Sequence, residues 1–562
     1  MGAQQSAEAQ DALKAVEGAV AEKAEAAPKR AIKLYQYVQA GAGGGWELVT
    51  SNARPSFYDT LEDTSSSGTK ADWNMEVDGS DVDVHVDQAA GFIMDPSQNR
   101  VTFNAGGAVW AMKVGDPELF KSFAVELNNK LFHNTYGFEN TEEGRAKSLG
   151  ADYAGRMFSV EGVQARTNEP MDLDEPADQY ATPEQLKDRW AMQEEDDDPI
   201  MGVVMGANDN SYLMKGGGKF DVLRNVAGVG VEDKEVSFML TPGKGAANAA
   251  AFTPTRVLLA QGERRMNLLT PLDPHKLHHA DVETGTIVST YNFQKDTIDV
   301  PIKEIAHDHK SAQMEEDSTF LGLDNNRLCR WDLRTAGGKV TENPVVQYQE
   351  GKDYSRGTNF NCMATSGDGY VVVGAQDGTI RLYSSKTLTR AKTSIPGMGA
   401  PVTSVDVTYD GKWVLATTDQ YLMVVKTTYT DDKGRAANGF ANPMGTRGSM
   451  PRLLRLKPED RMRTGNKPFI KGKFSWITES GLSERWIVVS VGSHSVIWNF
   501  NKVKSASSEV LSFGGLPTNM DYIITNKDED VVDAAFQHRK YAPDADASIV
   551  VATQHSLFNL GN

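Results

Sequence analysis

Apolar residues recur along this chain in short runs, each closed by a Gly, Asn or Asp turn, and from about residue 200 onward the runs come in pairs. The stretch from Ala391 to Val425 shows the unit. An apolar run ends at Asp406, the turn Tyr409-Asp410-Gly411 follows, WVLAT returns, and the corner Asp419-Gln420 leads into YLMVV. One such hairpin cannot bury both of its faces, so it requires sisters. Just upstream, SGDGYVVVGAQDGTIRLY repeats the layout with turns at Asp368-Gly369 and Asp377-Gly378. Gly369 and Gly411 lie 42 residues apart, inside the roughly 40–45 of a propeller blade of the WD type. Similar hairpins begin near Tyr212, Asn267, Thr319, Trp486 and Ile549, which with those at Tyr370 and Trp413 makes seven. Trp331-Asp332 is the one WD dipeptide, so the repeat is degenerate. The pattern predicts one closed seven-bladed WD40-like β-propeller over 200–562.

The N-terminal part alternates differently. From Ile32 the segments IKLYQYV, WELVT, WNMEV, VDVHV, FIMD, VTFN and AVWAMKV read as short strands. A helix follows, with Asp116 as N-cap, Pro117 at its first position, and Leu119, Phe120, Phe123, Leu127 and Leu131 along one face. Seven strands capped by one C-terminal helix is the layout of a pleckstrin-homology-like (PH-like) β-barrel, predicted over 30–135. The fold class is therefore mostly β. Residues 1–29 read as a helical or flexible leader. Residues 136–199 read as an acidic linker with one short helix, opened by Thr182 and Pro183 and carrying Leu186 and Trp190 on one side. On that reading Trp190 docks the linker on a neighbouring domain.

Four segments carry a family resemblance: NSYLMKGGGKFDVLRN, LHHADVETGTIVSTYNF, AQMEEDSTFLGLDNNRLCRWDLR and RAKTSIPGMGAPVTSVDVTYDGKWVLATTDQYL. They resemble the C-terminal propeller of the fungal vacuolar import and degradation proteins numbered twenty-seven, and the plant "defective embryo and meristems" proteins. The resemblance is specific over about 200–562 and looser over about 30–135. It implies a PH-like domain in the second region and a cytoplasmic or nuclear regulator without established catalytic residues.

Charge sharpens the picture. The chain carries a formal net charge of −18, which argues against nonspecific binding to nucleic acid or anionic lipid by the chain as a whole. No apolar run is long enough to span a bilayer, and the start lacks a secretory signal. The two cysteines, Cys329 and Cys362, fit core packing in a reducing compartment. Between Glu161 and Pro199, 13 acidic residues face Arg166, Lys187 and Arg189. The opposite imbalance lies between Arg447 and Lys473. There Arg447, Arg452, Arg455, Lys457, Arg461, Arg463, Lys467, Lys471 and Lys473 face only Glu459 and Asp460. Since 73 residues separate Trp413 from Trp486, this basic run reads as an insertion on one propeller face, a docking site for an acidic partner or for the chain's own acidic linker.

Other motifs add one candidate and remove several. MGAQQS fits the N-myristoylation pattern at Gly2, although a single acyl chain holds a membrane only marginally. The first loop of the barrel is QAGAGGG, and residues 31–135 hold 7 Lys or Arg against 14 Asp or Glu. A phosphoinositide reader needs cations there, so a protein partner, such as a small GTPase or an extended peptide, is the better fit. His278 and His279 are strand neighbours on opposite faces and do not share a metal with His275. Gly216-Gly217-Gly218 lacks the ending of a phosphate cradle, and no nucleophile elbow occurs. No catalytic residue, cofactor or metal is expected. The sequence describes a non-enzymatic scaffold of the cytoplasm, with a nuclear or peripheral membrane fraction. It acts in trafficking, protein turnover or Ran-linked regulation, with a myristoylated lipid-binding protein as the competing reading.

Overall fold

The computed structural model describes residues 31–40, 43–61, 71–151, 154, 187–193, 198–242, 253–295, 298–316, 318–334, 345–353, 359–448, 450–479, 481–505, 518–541 and 547–561. The chain divides into two compact units, Met1–Glu139 and Asn140–Asn562.

In the first unit the seven strands are β1 (Ile32–Ala40), β2 (Gly43–Asp59), β3 (Trp73–Asp78), β4 (Val82–His85), β5 (Ile93–Asp95), β6 (Arg100–Ala105) and β7 (Ala108–Val114). They form one antiparallel sheet in the order β4-β3-β2-β1-β7-β6-β5. Alternation makes it one-sided: Met75, Val77, Val82 and Val84 are buried while Glu76, Asp78, Asp83 and His85 face out. The helix Pro117–Tyr136 covers the inner face with Phe120, Phe123, Ala124, Leu127 and Phe132. Asp116 caps it by accepting from the Glu118 N–H, and Gly137 ends it at φ 71, a left-handed conformation that glycine adopts without a Cβ penalty. Each buried Phe or Leu on this face contributes about 1.5–3 kcal/mol. Phe123 stacks on Phe57 of β2 at 5.6 Å between ring centroids, which ties the helix to the sheet.

The second unit is the seven-bladed propeller. Blade 1 comprises Ile200–Val204, Asn210–Lys215, Lys219–Val226 and Gly230–Met239, and blade 2 Arg256–Ala260, Arg265–Leu269, Lys276–Asp281 and Thr286–Lys295. Blade 3 comprises Glu304–His307, Thr319–Asp324, Arg327–Asp332 and Val345–Asp353, and blade 4 Phe360–Thr365, Val371–Ala375, Ile380–Tyr383 and Thr393–Ile395. Blade 5 comprises Ser404–Val407, Trp413–Thr417, Leu422–Lys426 and Arg452–Leu454, and blade 6 Phe469–Phe474, Trp486–Val491, His494–Asn499 and Tyr522–Asn526. Blade 7 takes Val531–Phe536, Ile549–Thr553 and Ser556–Gly561 from the end of the chain. Its outermost strand, Lys187–Gln193, comes from the beginning of the unit and pairs antiparallel with Ser556–Gly561.

Each of the seven hairpins read from the sequence is the second and third strand of a blade. The packing explains why those strands were legible. A blade is buried on both faces between its neighbours, so Val371–Ala375, Trp413–Thr417, Trp486–Val491 and Ile549–Thr553 are buried at every position. A hydrophobic cluster fills every seam, from blades 1 and 2 round to blades 7 and 1. Trp331 of the WD dipeptide is fully buried in the seam of blades 2 and 3, against Phe293 at 5.1 Å. It lies over Gly322, where a Cβ would come within 2.5 Å of its indole nitrogen.

Two expectations are corrected. Trp190 lies not on a linker helix but in the strand that closes blade 7, opposite Asn559. Thr182, Pro183 and Leu186 lie outside the described residues, as does Gly2. The basic run is also not the insertion. The extra residues of blade 5 precede most of it, between Lys426 and Arg452, where Thr428–Thr430 and Ala436–Asn438 form a small hairpin. Arg452–Leu454 is the outer strand of blade 5, Pro458–Arg463 a short helix, and Phe469–Phe474 the inner strand of blade 6.

Candidate functional site

Antiparallel strands divide the connections of a propeller between two faces. Those joining first to second and third to fourth strands lie on one face; the hairpin tips and the links between blades lie on the other.

The first face is closed on itself by a hydrogen-bond ring from blade to blade. Ala207 and Asn208 of blade 1 donate backbone N–H groups to the Glu263 carboxylate of blade 2. Gln313 of blade 3 donates to the same carboxylate at 2.9 Å. Lys310 N bonds Ser366 O of blade 4 at 3.1 Å, and Gly367 N bonds Tyr409 O of blade 5 at 2.8 Å. Tyr409 N donates to Glu484 of blade 6 at 2.6 Å, and Arg539 N of blade 7 bonds Trp476 O at 3.1 Å. Gly228 N of blade 1 completes the circuit on Tyr541 O of blade 7 at 3.0 Å. The carboxylates at its joints are deeply buried. Burial raises the Glu263 pKa against the pull of its donors, and raises that of Glu484 to about 7 against Lys310. Glu263 holds φ 65, a strained value for a non-glycine residue that persists because three partners fix its side chain. Groups bonded in this way are not available to a partner without breaking the ring.

The second face is cationic. The link between blades 5 and 6 presents Lys457 near the Tyr522 ring, Arg461 bonded to Asn466 at 3.1 Å, Arg463 paired with Asp460 at 3.1 Å, and Lys467 paired with Asp530. The inner strand of blade 6 then carries Lys471 and Lys473, both converging on Asp533 of blade 7, at 3.0 and 3.5 Å. Burial pushes the Asp533 carboxyl up, but the two lysines outweigh it and hold the pKa down to about 2. The backbone N–H of Val203 in blade 1 also bonds this carboxylate, so Asp533 ties three blades together. On the inner strands of blades 2 and 3, Arg256 and Glu304 pair at 2.6 Å, where burial raises the glutamate and the arginine opposes that. Exposed apolar side chains join the cations here: Leu272 at 78 % exposure on a hairpin tip and Ile298 at 69 % on the link between blades 2 and 3.

The nine predicted cations are thus split four ways. Four of them, Lys457, Arg461, Arg463 and Lys467, share the second face, and Lys471 and Lys473 lie on the inner strand of blade 6. Arg447 lies at the other end of blade 5, paired with Asp432 at 3.1 Å. Arg452 and Arg455 are packing residues, over Trp413 at 5.1 Å and Tyr421 at 5.5 Å, and burial lowers the Arg455 pKa to about 10. Arg256, Glu304 and Asp533 were missed, because residues spread over nearly 280 positions leave no spacing signal. The one available cue was a charge beside an apolar run that opens each blade. The histidines separate as expected: His278 meets Thr290 at 3.2 Å, and His279, pushed down to about 4 by burial, meets Asn267 at 2.7 Å.

Comparison with known proteins adds the lineage. Residues 202–560 match the family described as the VID27 C-terminal WD40-like domain, and residues 6–150 match a domain of unknown function (DUF7135). Vacuolar import and degradation protein 27 of Schizosaccharomyces pombe is 30 % identical over 322 residues, covering 56 % of this chain and 38 % of its own length. The protein of that name from Saccharomyces cerevisiae is 25 % identical over 308 residues, covering 54 % and 36 %. The chain therefore spans under two fifths of the length of these curated relatives. With the propeller match extending over well more than half of its 562 residues, the chain belongs to the vacuolar import and degradation protein 27 family.

Proposed function

We propose that this protein is a non-enzymatic scaffold whose propeller binds acidic segments of protein partners on its second face. The contrast between the two faces carries the reading: one is closed by a ring of its own hydrogen bonds, while the other presents four cations, Lys457, Arg461, Arg463 and Lys467, on a single blade link. The ion pairs of the blade link, Arg463 with Asp460 and Lys467 with Asp530, are surface pairs worth about 0–1 kcal/mol each, so a partner's carboxylates exchange with them at little cost. The chain holds a candidate ligand of its own. Gln193 lies opposite Ser556 at the hairpin-tip end of blade 7, and the acidic run Glu194–Asp198 follows it in the sequence. A linker that competes with a partner for the same cations would make the site a switch. The names of the relatives favour trafficking or protein turnover as its setting; on this reading the protein acts in the cytoplasm or nucleus, and the barrel of the first unit would bind a protein such as a small GTPase.

The test uses the full chain and a labelled synthetic peptide of residues 161–199. Lys457→Glu, Arg463→Glu and Lys467→Glu together are expected to weaken binding at least tenfold and to flatten its salt dependence, with Tm unchanged because all three are exposed. Equal affinity in the triple variant would show that these cations are not the site. Arg455, a candidate from the sequence, is left unchanged in this variant because it is buried.

The competing reading, recruitment to membranes through Gly2, has its own measurement. Intact mass of native protein is expected to show loss of Met1 and gain of one myristoyl group. A free or acetylated Gly2 ends that reading.

A further inference from the structure

We infer that the cavity between blades 1 and 2 binds a basic side chain, an arginine or lysine presented by a peptide segment of a partner. This is a second site, on the first face, and it does not depend on the cationic second face.

The cavity holds about 580 Å³, within the roughly 300–1,000 Å³ of ligand pockets. Blade 1 supplies one wall, where Tyr212 and Val222, cross-strand partners on its second and third strands, turn toward blade 2. Blade 2 supplies the other from two connections: Gln261–Arg264 joins its first and second strands, and Val282–Gly285 its third and fourth. Gln261, Gly262 and Glu263 hold φ 53, 66 and 65 in succession, so the first connection is a tight left-handed turn that persists only because its surroundings hold it. Gly262 N and Glu263 N bond the carbonyls of Glu315 and Gln313 in blade 3 at 3.0 and 3.1 Å, and Val282 N bonds Arg264 O at 3.1 Å. The walls are thus set before a ligand arrives, which lowers the cost of binding.

The charges on the lining select the occupant. Arg265 pairs with Asp281, its cross-strand partner, and Arg264 pairs with Glu316 of blade 3. The Glu263 carboxylate is taken by Ala207, Asn208 and Gln313 in the ring of the first face. Glu283 remains, exposed and with no ion pair among the described residues. An entering anion meets three carboxylates against two guanidiniums, each of which already holds a carboxylate. A neutral apolar group would cover Glu283 without compensating its charge. A cation on a hydrocarbon stem suits both walls: its head meets Glu283 while its methylenes lie along Tyr212, Val222 and Val282.

The experiment titrates the full chain into the peptide Gly-Ser-Arg-Ser-Gly carrying a neutral dye, and into the same peptide with Lys, Gln or Glu in place of Arg, and reads fluorescence polarisation. The Arg peptide, the Lys peptide or both are expected to bind, and the Gln and Glu peptides to bind far more weakly. Glu283→Gln is expected to weaken the binding about tenfold and Glu283→Lys to abolish it. Glu283 is exposed, so an unchanged Tm confirms that both variants are folded. The second-face variant Lys457→Glu with Arg463→Glu and Lys467→Glu is expected to bind the basic peptides like the parent, so either site can fail without the other. If neither basic peptide binds more tightly than the Gln peptide, or if both Glu283 variants bind like the parent, the inference is overturned. It is overturned as well if Glu118→Gln, at an exposed carboxylate of the first unit, weakens binding as much as Glu283→Gln, because the peptide is then drawn by the net charge of −18 alone.

Discussion

A chain beginning at Pro199, and so lacking Lys187–Gln193, is expected to unfold roughly 6 °C below one beginning at Asn140. The missing strand makes the outer row of backbone pairs of blade 7, from Gln193 opposite Ser556 to Lys187 opposite Gly561. Without it the strand Ser556–Gly561 becomes an open edge in a propeller whose stability depends on closure. Each net backbone hydrogen bond is worth about 0.5–1.5 kcal/mol, so the row accounts for several kcal/mol. Leu557, Asn559 and Leu560 have no exposed surface in the intact fold, and removal of the strand uncovers them. Asn559 matters most, because its amide accepts from Val231 N at 3.0 Å and donates to Val231 O at 2.8 Å, joining blade 7 to blade 1. A loss near 5 kcal/mol corresponds to about 6 °C for a unit of this size, at ~2.1 cal/mol/K of unfolding entropy per residue. Differential scanning calorimetry reads the shift, and a peptide of residues 180–198 added in trans is expected to restore part of it. A short chain that melts with the longer one would mean that the closing strand contributes nothing.

That strand also shows where sequence reading fails and why. The second and third strands of every blade were legible because burial on both faces writes itself as an unbroken apolar run. KDRWAMQ carries three charges in seven residues, as an outermost strand with one edge toward solvent can. Its partner lies some 370 residues away, so no local signal joins them, and the acid run that follows made the whole segment look like a spacer. The same bias misread the basic run. A local excess of positive charge suggested one loop, whereas strand boundaries distribute those nine cations among an outer strand, a blade link, an inner strand and the far end of blade 5. In the first unit all seven strands and the helix were legible, because Trp73–Asp78 and Val82–His85 alternate, Arg100–Ala105 and Ala108–Val114 are apolar runs between turns, and the Asp116-Pro117 start is unambiguous. The register slip of β1 against β2 at Val49 was not, since nothing in GGGWELVTSN shows where it falls.

Replacing Asp533 with Ala is expected to cost about 3–5 kcal/mol, far more than any surface charge on the same face. Asp533 is only 4 % exposed, and its loss leaves Lys471 and Lys473 facing each other across a space that held their shared counter-ion. It also removes the acceptor of the Val203 N–H, so blades 6, 7 and 1 loosen at one point. Asp533→Asn keeps an acceptor and the volume but not the charge, and falls between the two. The pH dependence separates charge from packing. With its pKa held at about 2, below the ordinary carboxyl value of 3.8, the aspartate contributes stability that is complete above pH 4 and is lost as pH falls through 2. The advantage of the natural residue over Asn, about 2 kcal/mol near neutrality, should therefore shrink steadily below pH 4. Denaturant titrations at pH 7, 4 and 2.5 measure it. A constant gap between Asp and Asn would show that the lysines hold the blades by packing alone. In that case Lys471 and Lys473 are free to exchange Asp533 for a partner's carboxylate, and the binding face extends to the inner strand of blade 6.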